Sequence, residues 1–185
     1  MVNENKKDQI ISTATNLFSQ YGYHAVGIDL IIKDAGVSKK TMYKHFPSKE
    51  NLIIEVLKQR NTNFSVSLDQ KLDFEDDAIR KLELIFEWHN EWYISEEFSG
   101  CLFAKAAAEF PNKDEEIHKI VLKQKSDLTA RIEQILNQLS LSNTPEYTAR
   151  IIVMLLDGAN ISAQITGNTE STSDAWQTVK RLILS

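Results

Sequence analysis

Residues 36–49 read GVSKKTMYKHFPSK. Lys39, Lys40, Lys44 and Lys49 stand in these fourteen residues with no acid among them, in a chain whose formal net charge is −5. Ser38 is a good N-cap, so a helix opening there places Lys39 and Lys40 at its first two positions. Pro47 stops that helix. Ser48 caps the next, with Lys49 as its first residue. The start of a helix is already electropositive, and each lysine opposes it at a cost of about 0.3–1 kcal/mol. A phosphate placed there reverses the sign, because backbone N–H groups and the ammonium then share one anion. The alternative is a solvated basic face with no partner. Four lysines with a tyrosine and a histidine on one motif favour the anion.

Working outward, residues 8–21 place Ile10, Ala14, Leu17, Phe18 and Tyr21 at helical spacing, ended by Gly22. A short helix is predicted over about 28–35, and DAGVS, 34–38, turns the corner on Gly36. Short helix, glycine-containing turn and short helix make a helix-turn-helix. At 100° per residue, Met42 and Phe46 share the inner face of the third helix. Lys40, Thr41 and Lys44 lie opposite, an outward basic face suited to the DNA major groove.

The stretch from residue 10 to 57 resembles the N-terminal domain of TetR-family bacterial transcriptional repressors. The matching elements are LF…GY near the first helix, AGVSK at the turn, TMYKHF in the recognition helix and SKENL opening the fourth. The resemblance implies a homodimer on a palindromic double-stranded operator, released by a small-molecule effector. It also implies that Lys39, Lys40, Thr41, Tyr43, Lys44 and His45 fall where family members contact DNA. Tyr43 and Lys49 would hold phosphates; Lys40, Thr41 and Lys44 would reach base edges. Three positions depart from the family pattern: Gly27 replaces a phosphate-touching Thr, Ile32 a small Ala, and Lys40 a common Gly.

Composition agrees with a soluble, all-α protein. Six Gly and three Pro in 185 residues are few, and 42% of residues are apolar. The one cysteine, Cys101, excludes an intramolecular disulfide and a multi-cysteine metal site. The polar start MVNENKKDQ does not read as a signal peptide, and IIVMLL, 151–156, is the longest apolar run, so a cytoplasmic protein without a membrane span is expected. Residues 1–60 hold nine Lys/Arg against six Asp/Glu, and the remainder twelve against twenty. That asymmetry places the anion-binding part in the N-terminal third.

About nine helices are expected, divided into a helix-turn-helix domain, 1–48, and a helical ligand-binding and dimerisation domain, 49–185. A fifth helix over 75–93 spreads apolar and aromatic residues over half its surface. Trp88, His89, Trp92, Cys101, Phe103, Met154 and Asn160 are candidates for an effector pocket with few polar groups. His89 reads first as a core histidine bonded to a carbonyl or hydroxyl and second as the polar handle of that pocket, and Cys101 first as a buried inert thiol and second as a redox switch. The eighth helix, about 145–166, is apolar nearly all round, and the ninth, about 174–184, opens at STSD. Apolar surface on most sides means burial on most sides, so Ala159, Ala163, Trp176 and Val179 are assigned to a dimer interface. No phosphate-loop, dinucleotide or zinc-protease motif is present, and the four histidines lack metal spacing. The chain is expected to be no enzyme and to need no cofactor or metal. The runners-up are a regulator controlled by a protein partner or no ligand and, remotely, a helical enzyme or carrier.

Overall fold

The computed structural model describes residues 2–96 and 98–184, with side chains from residue 6 onward. Nine helices and no strand occur among the described residues: α1 (Val2–Tyr21), α2 (Ile28–Asp34), α3 (Lys39–His45), α4 (Lys49–Leu72), α5 (Ala78–Tyr93), α6 (Leu102–Glu109), α7 (Glu116–Leu136), α8 (Pro145–Thr166) and α9 (Glu170–Leu184). The caps explain several boundaries. Ser38 Oγ accepts from Thr41 N–H at 3.1 Å, Ser48 Oγ from Asn51 N–H at 3.2 Å and Thr144 Oγ1 from Tyr147 N–H at 3.2 Å. Each satisfies an N–H that the helix itself leaves open.

Three starts differ from expectation, the first being α1, which begins at Val2 and not near residue 8. α5 begins at Ala78 because Asp77 caps it, accepting from Arg80 N–H at 2.7 Å. α9 begins at Glu170, because Asn168 Oδ1 takes the Glu170 N–H at 2.6 Å. The STSD stretch therefore lies inside α9, where Thr172 and Ala175 are buried.

The chain forms two compact units, Met1–Asn63 with Cys101–Leu122, and Phe64–Gly100 with Lys123–Ser185. The first thus extends past the helix-turn-helix, 1–48, and takes in α6. Its core joins Ile10, Ala14 and Phe18 of α1 to Ile31, Met42 and Phe46, and to Leu52, Ile53 and Val56 of α4, with Leu102, Phe103 and Ala106 of α6 closing it. Met42 and Phe46 lie in that core, which turns the opposite face of α3 outward.

The second unit is built on Leu68, Leu82, Ile85, Phe86, Ile132 and Leu136, with Ile152 and Leu156 of α8 and Trp176 and Val179 of α9. Gly167, at φ +68, ends α8 in the left-handed conformation and its N–H bonds to the Ala163 carbonyl. No described helix is long and apolar enough to cross a membrane.

Candidate DNA interface and effector region

On α3 the burial pattern follows the helical angle. Lys39, Lys40, Tyr43 and Lys44 are exposed, and Thr41 and His45 are half-buried. Thr41 Oγ1 lies 2.8 Å from Ser38 Oγ, which uses one of its hydroxyl's hydrogen-bonding sites and leaves the others open. Lys39 Nζ stands 3.6 Å from Asp29 on α2, an exposed pair of small energetic weight. Lys40 and Lys44 have no ion-pair partner among the described residues, which leaves their charge for an incoming anion. His45 Nε2 is turned inward without a hydrogen-bond partner.

Lys49 is half-buried at the first position of α4, with Nζ 3.5 Å from the His24 carbonyl. Next to it, backbone and Ser48 hydrogen bonds lower the Glu50 carboxyl pKa, with help from the Lys49 charge. Gly27 sits in extended geometry before α2 with no side-chain cap, and a Cβ there meets nothing within 4 Å. The space for the missing hydroxyl is therefore open.

The candidate effector residues divide between the units. Cys101 and Phe103 belong to the first, where Phe103 is buried and Cys101 half-buried. Trp88, His89, Trp92, Met154 and Asn160 belong to the second. There the aromatic rings pack together: Phe64 on Trp88 at 4.8 Å, Trp88 on His89 at 5.0 Å and Trp92 on Phe98 at 5.2 Å. Trp88 Nε1–H donates to Ser67 Oγ at 2.9 Å, and the Tyr93 hydroxyl to the Leu156 carbonyl at 3.2 Å.

His89 is 5% exposed, with Nδ1 2.7 Å from the Ile85 carbonyl. A carbonyl only accepts, so Nδ1 carries the proton and Nε2 the lone pair. Burial pulls the imidazole pKa down to about 4. The Ile85 hydrogen bond opposes that shift, the Lys125 charge assists it and Asp157 opposes it. Asn160 is buried, whereas Met154 is 65% exposed.

Ala159, Ala163, Trp176 and Val179 are all buried by their own chain. Trp176 Nε1–H donates to Glu83 at 2.9 Å and its ring packs on Phe86 at 5.5 Å. These four therefore build the interior of the second unit and offer no free surface. The exposed apolar side chains of α8 are Tyr147, Met154, Ile161 and Ile165. With half-buried Ile151 and exposed Gly158 they run at spacings of three and four along one edge of the helix.

A groove of about 620 Å³ lies between α5 and α9, over Phe86 and Trp176. Of its four glutamates, Glu170 accepts from the Asn168 side chain and three are paired, Glu91 with Lys71, and Glu83 and Glu87 with Arg80. Those hydrogen bonds, Glu87 first, raise the Arg80 pKa, and Arg80 in turn lowers that of Glu83.

Profile comparison matches residues 10–56 to the bacterial regulatory proteins of the tetR family, and residues 78–179 to the tetracyclin repressor-like C-terminal domain. The chain belongs to the TetR family. The HTH-type transcriptional repressor NemR of Escherichia coli strain K12 is 25% identical over 185 residues, covering 96% of this chain and 93% of that protein. The HTH-type transcriptional regulator RutR of the same strain is 48% identical over 54 residues, 29% of this chain and 26% of its own. Among solved structures, the TetR-family regulator SCO4454 from Streptomyces coelicolor superposes with a TM-score of 0.92 at 25% identity, over 98% of this chain and 95% of that one. Identity to RutR is thus concentrated in a short shared segment, while full-length TetR-family relatives are more divergent.

Sequence reasoning passed over one set of residues in the first unit. Glu109, at the end of α6, accepts from the N–H groups of Tyr23 and His24 in the turn between α1 and α2. The partners lie 85 and 86 positions apart, so no local pattern marks them. The only sequence trace is GYH, 22–24, in which a glycine precedes an aromatic that the core takes.

Proposed function

We propose that this chain, a DNA-binding transcriptional regulator by family, is a repressor that leaves its operator when a small molecule occupies the second unit. The observation that carries the DNA part is α3: Met42 and Phe46 are buried, while Lys40, Tyr43 and Lys44 stand exposed on a capped helix. Lys40, Thr41 and Lys44 read base edges, and Tyr43 and Lys49 hold phosphates. Support for a repressor comes from the name borne by the full-length relative NemR. The aromatic group of Trp88, Trp92, Tyr93 and Phe98, with His89 as its polar member, supports an effector region in the second unit.

The active species is a homodimer joined along the α8 edge of Tyr147, Ile151, Met154, Gly158, Ile161 and Ile165. An exposed apolar stripe at this spacing is the natural seam for a second helix. Two copies then present their α3 helices one DNA turn apart, roughly 34–36 Å. Effector binding shifts that spacing. A near-complete switch requires the effector to favour the released state by about 5 kcal/mol.

The test is to select duplexes from a random pool with the wild-type protein, then screen a compound library for release by fluorescence anisotropy. Enrichment of a two-fold symmetric site, and release by at least one compound, are expected. Enrichment with no compound effective favours a regulator governed by a protein partner or by none.

A further inference from the structure

α6 is fastened to the DNA-binding head along its length. At its end, Glu109 Oε1 accepts from Tyr23 N–H at 2.9 Å and Oε2 from His24 N–H at 2.6 Å. The Glu109 carbonyl lies 3.0 Å from His24 Nε2. Midway, the Lys105 ammonium donates to the Ser19 carbonyl in the last turns of α1. At its start, the Leu102 carbonyl accepts from the Tyr23 hydroxyl at 3.0 Å. Phe110, next along the chain, packs on the rings of Tyr23 at 5.8 Å and His24 at 4.9 Å.

The backbone is shaped for this contact. Gly22 has φ +83, which favours glycine, and a Cβ there would stand 2.8 Å from Glu109 Oε1. Tyr23 is fully buried. Burial, followed by the charges of Cys101 and Glu109, lifts its phenol far above the usual range. The phenol therefore remains a donor to Leu102 at any working pH.

These contacts end at a residue already assigned to DNA. The His24 N–H is held by Glu109, and the His24 carbonyl faces Lys49 Nζ at 3.5 Å. We propose that Glu109 is a positioning residue for operator binding. Its carboxylate sets the α1–α2 turn, the turn sets the His24 carbonyl, and that carbonyl aims the Lys49 ammonium at a DNA phosphate. The proposal rests on the operator-binding reading above. It also makes α6 a lever on the Lys49 contact, acting through the α1–α2 turn.

Electrostatics alone predicts the reverse effect of removing Glu109, which makes the proposal testable. Deleting an acid from a protein that binds a polyanion strengthens binding through the general field. Loss of the positioning contact weakens it. The experiment uses full-length wild type, Lys49→Ala, Glu109→Ala, Glu109→Gln and the double variant Lys49→Ala/Glu109→Ala, on a duplex selected by the wild type. Lys49→Ala should lower the slope of log affinity against log salt by about 0.9, the value for one phosphate. Glu109→Ala should weaken binding several-fold with the same fall in slope. The double variant should bind no more weakly than Lys49→Ala. Glu109→Gln keeps one acceptor oxygen and should fall between, and it serves if the alanine variant does not fold.

Amide exchange supplies a second reading. By reciprocity, operator DNA should slow exchange over residues 102–109 in the wild type and not in Glu109→Ala. Tighter or unchanged binding by folded Glu109→Ala or Glu109→Gln overturns the proposal. So does a loss that adds fully to that of Lys49→Ala. If the wild type selects no duplex, the operator reading itself fails, an outcome distinct from wild-type binding that Glu109 does not influence.

Discussion

Lowering the pH from 7 to 5 should destabilise this protein, and His89 should carry a defined share of the loss. The unfolded imidazole titrates near 6.5, while in the folded chain burial holds it at about 4. A histidine with a depressed folded value contributes its full stability above the unfolded value. As pH falls below 6.5 the unfolded chain takes up a proton that the folded chain refuses, and stability drops until the folded imidazole protonates near 4. Each full pH unit in that window costs about 1.4 kcal/mol, so the loss is about 2 kcal/mol at pH 5 and about 3 kcal/mol at pH 4.

The assay is urea unfolding at pH 7 and pH 5, followed by far-UV circular dichroism, for wild type and His89→Asn. Asparagine keeps a donor for the Ile85 carbonyl and removes the titration. The variant should be less stable at pH 7, because it leaves a void against Trp88 and Phe64. Its pH 7 to pH 5 loss should be smaller than the wild-type loss by about 2 kcal/mol, a difference that cancels the other titrating groups. Equal pH dependence in the two proteins would refute the reasoning and show that the ring is solvated, as in an open pocket wall.

Three further outcomes are expected. Lys44→Ala should flatten sequence preference at one or two positions of each half-site, by about 1–3 kcal/mol if it contacts a guanine; superimposable operator-variant profiles would remove it from base reading. Ile161→Glu should place an unpaired charge in the α8 seam at a cost of several kcal/mol, giving monomer by sedimentation at micromolar concentration; a retained dimer would place the interface elsewhere. Gly27→Thr has room for its side chain. It should cap α2, for a few tenths of a kcal/mol, and tighten DNA binding with a steeper salt slope; weaker binding would show that DNA approaches this backbone too closely for a side chain.

The DNA-binding head was legible because its determinants are local. Ser38, Gly36, Pro47 and Ser48 set helix ends within a few residues of themselves, and the 100° step places Lys44 opposite Met42. What covers α8 and α9 was not. Apolar periodicity reports that a face is covered, not by what. Ala159, Ala163, Trp176 and Val179 are covered by their own chain, and the stripe through Met154 and Ile161 is exposed. The sequence places the start of α9 four residues late because STSD and the Asn168 side chain are rival caps, and only geometry shows which one accepts from an N–H. The Glu109 contact joins residues more than eighty apart, where no sequence pattern reaches.

The central claim is that Lys40, Lys44 and Lys49 make this acidic chain a sequence-specific DNA binder. The most direct measurement is the salt dependence of wild-type and Lys49→Ala affinity on the selected duplex and on a scrambled duplex of the same length. The account predicts wild-type affinity for the selected duplex at least a thousandfold above the scrambled one. It also predicts an equal loss on both duplexes for Lys49→Ala, with a salt slope lower by about one. Equal wild-type affinity for the two duplexes, or an unchanged slope in the variant, would contradict it.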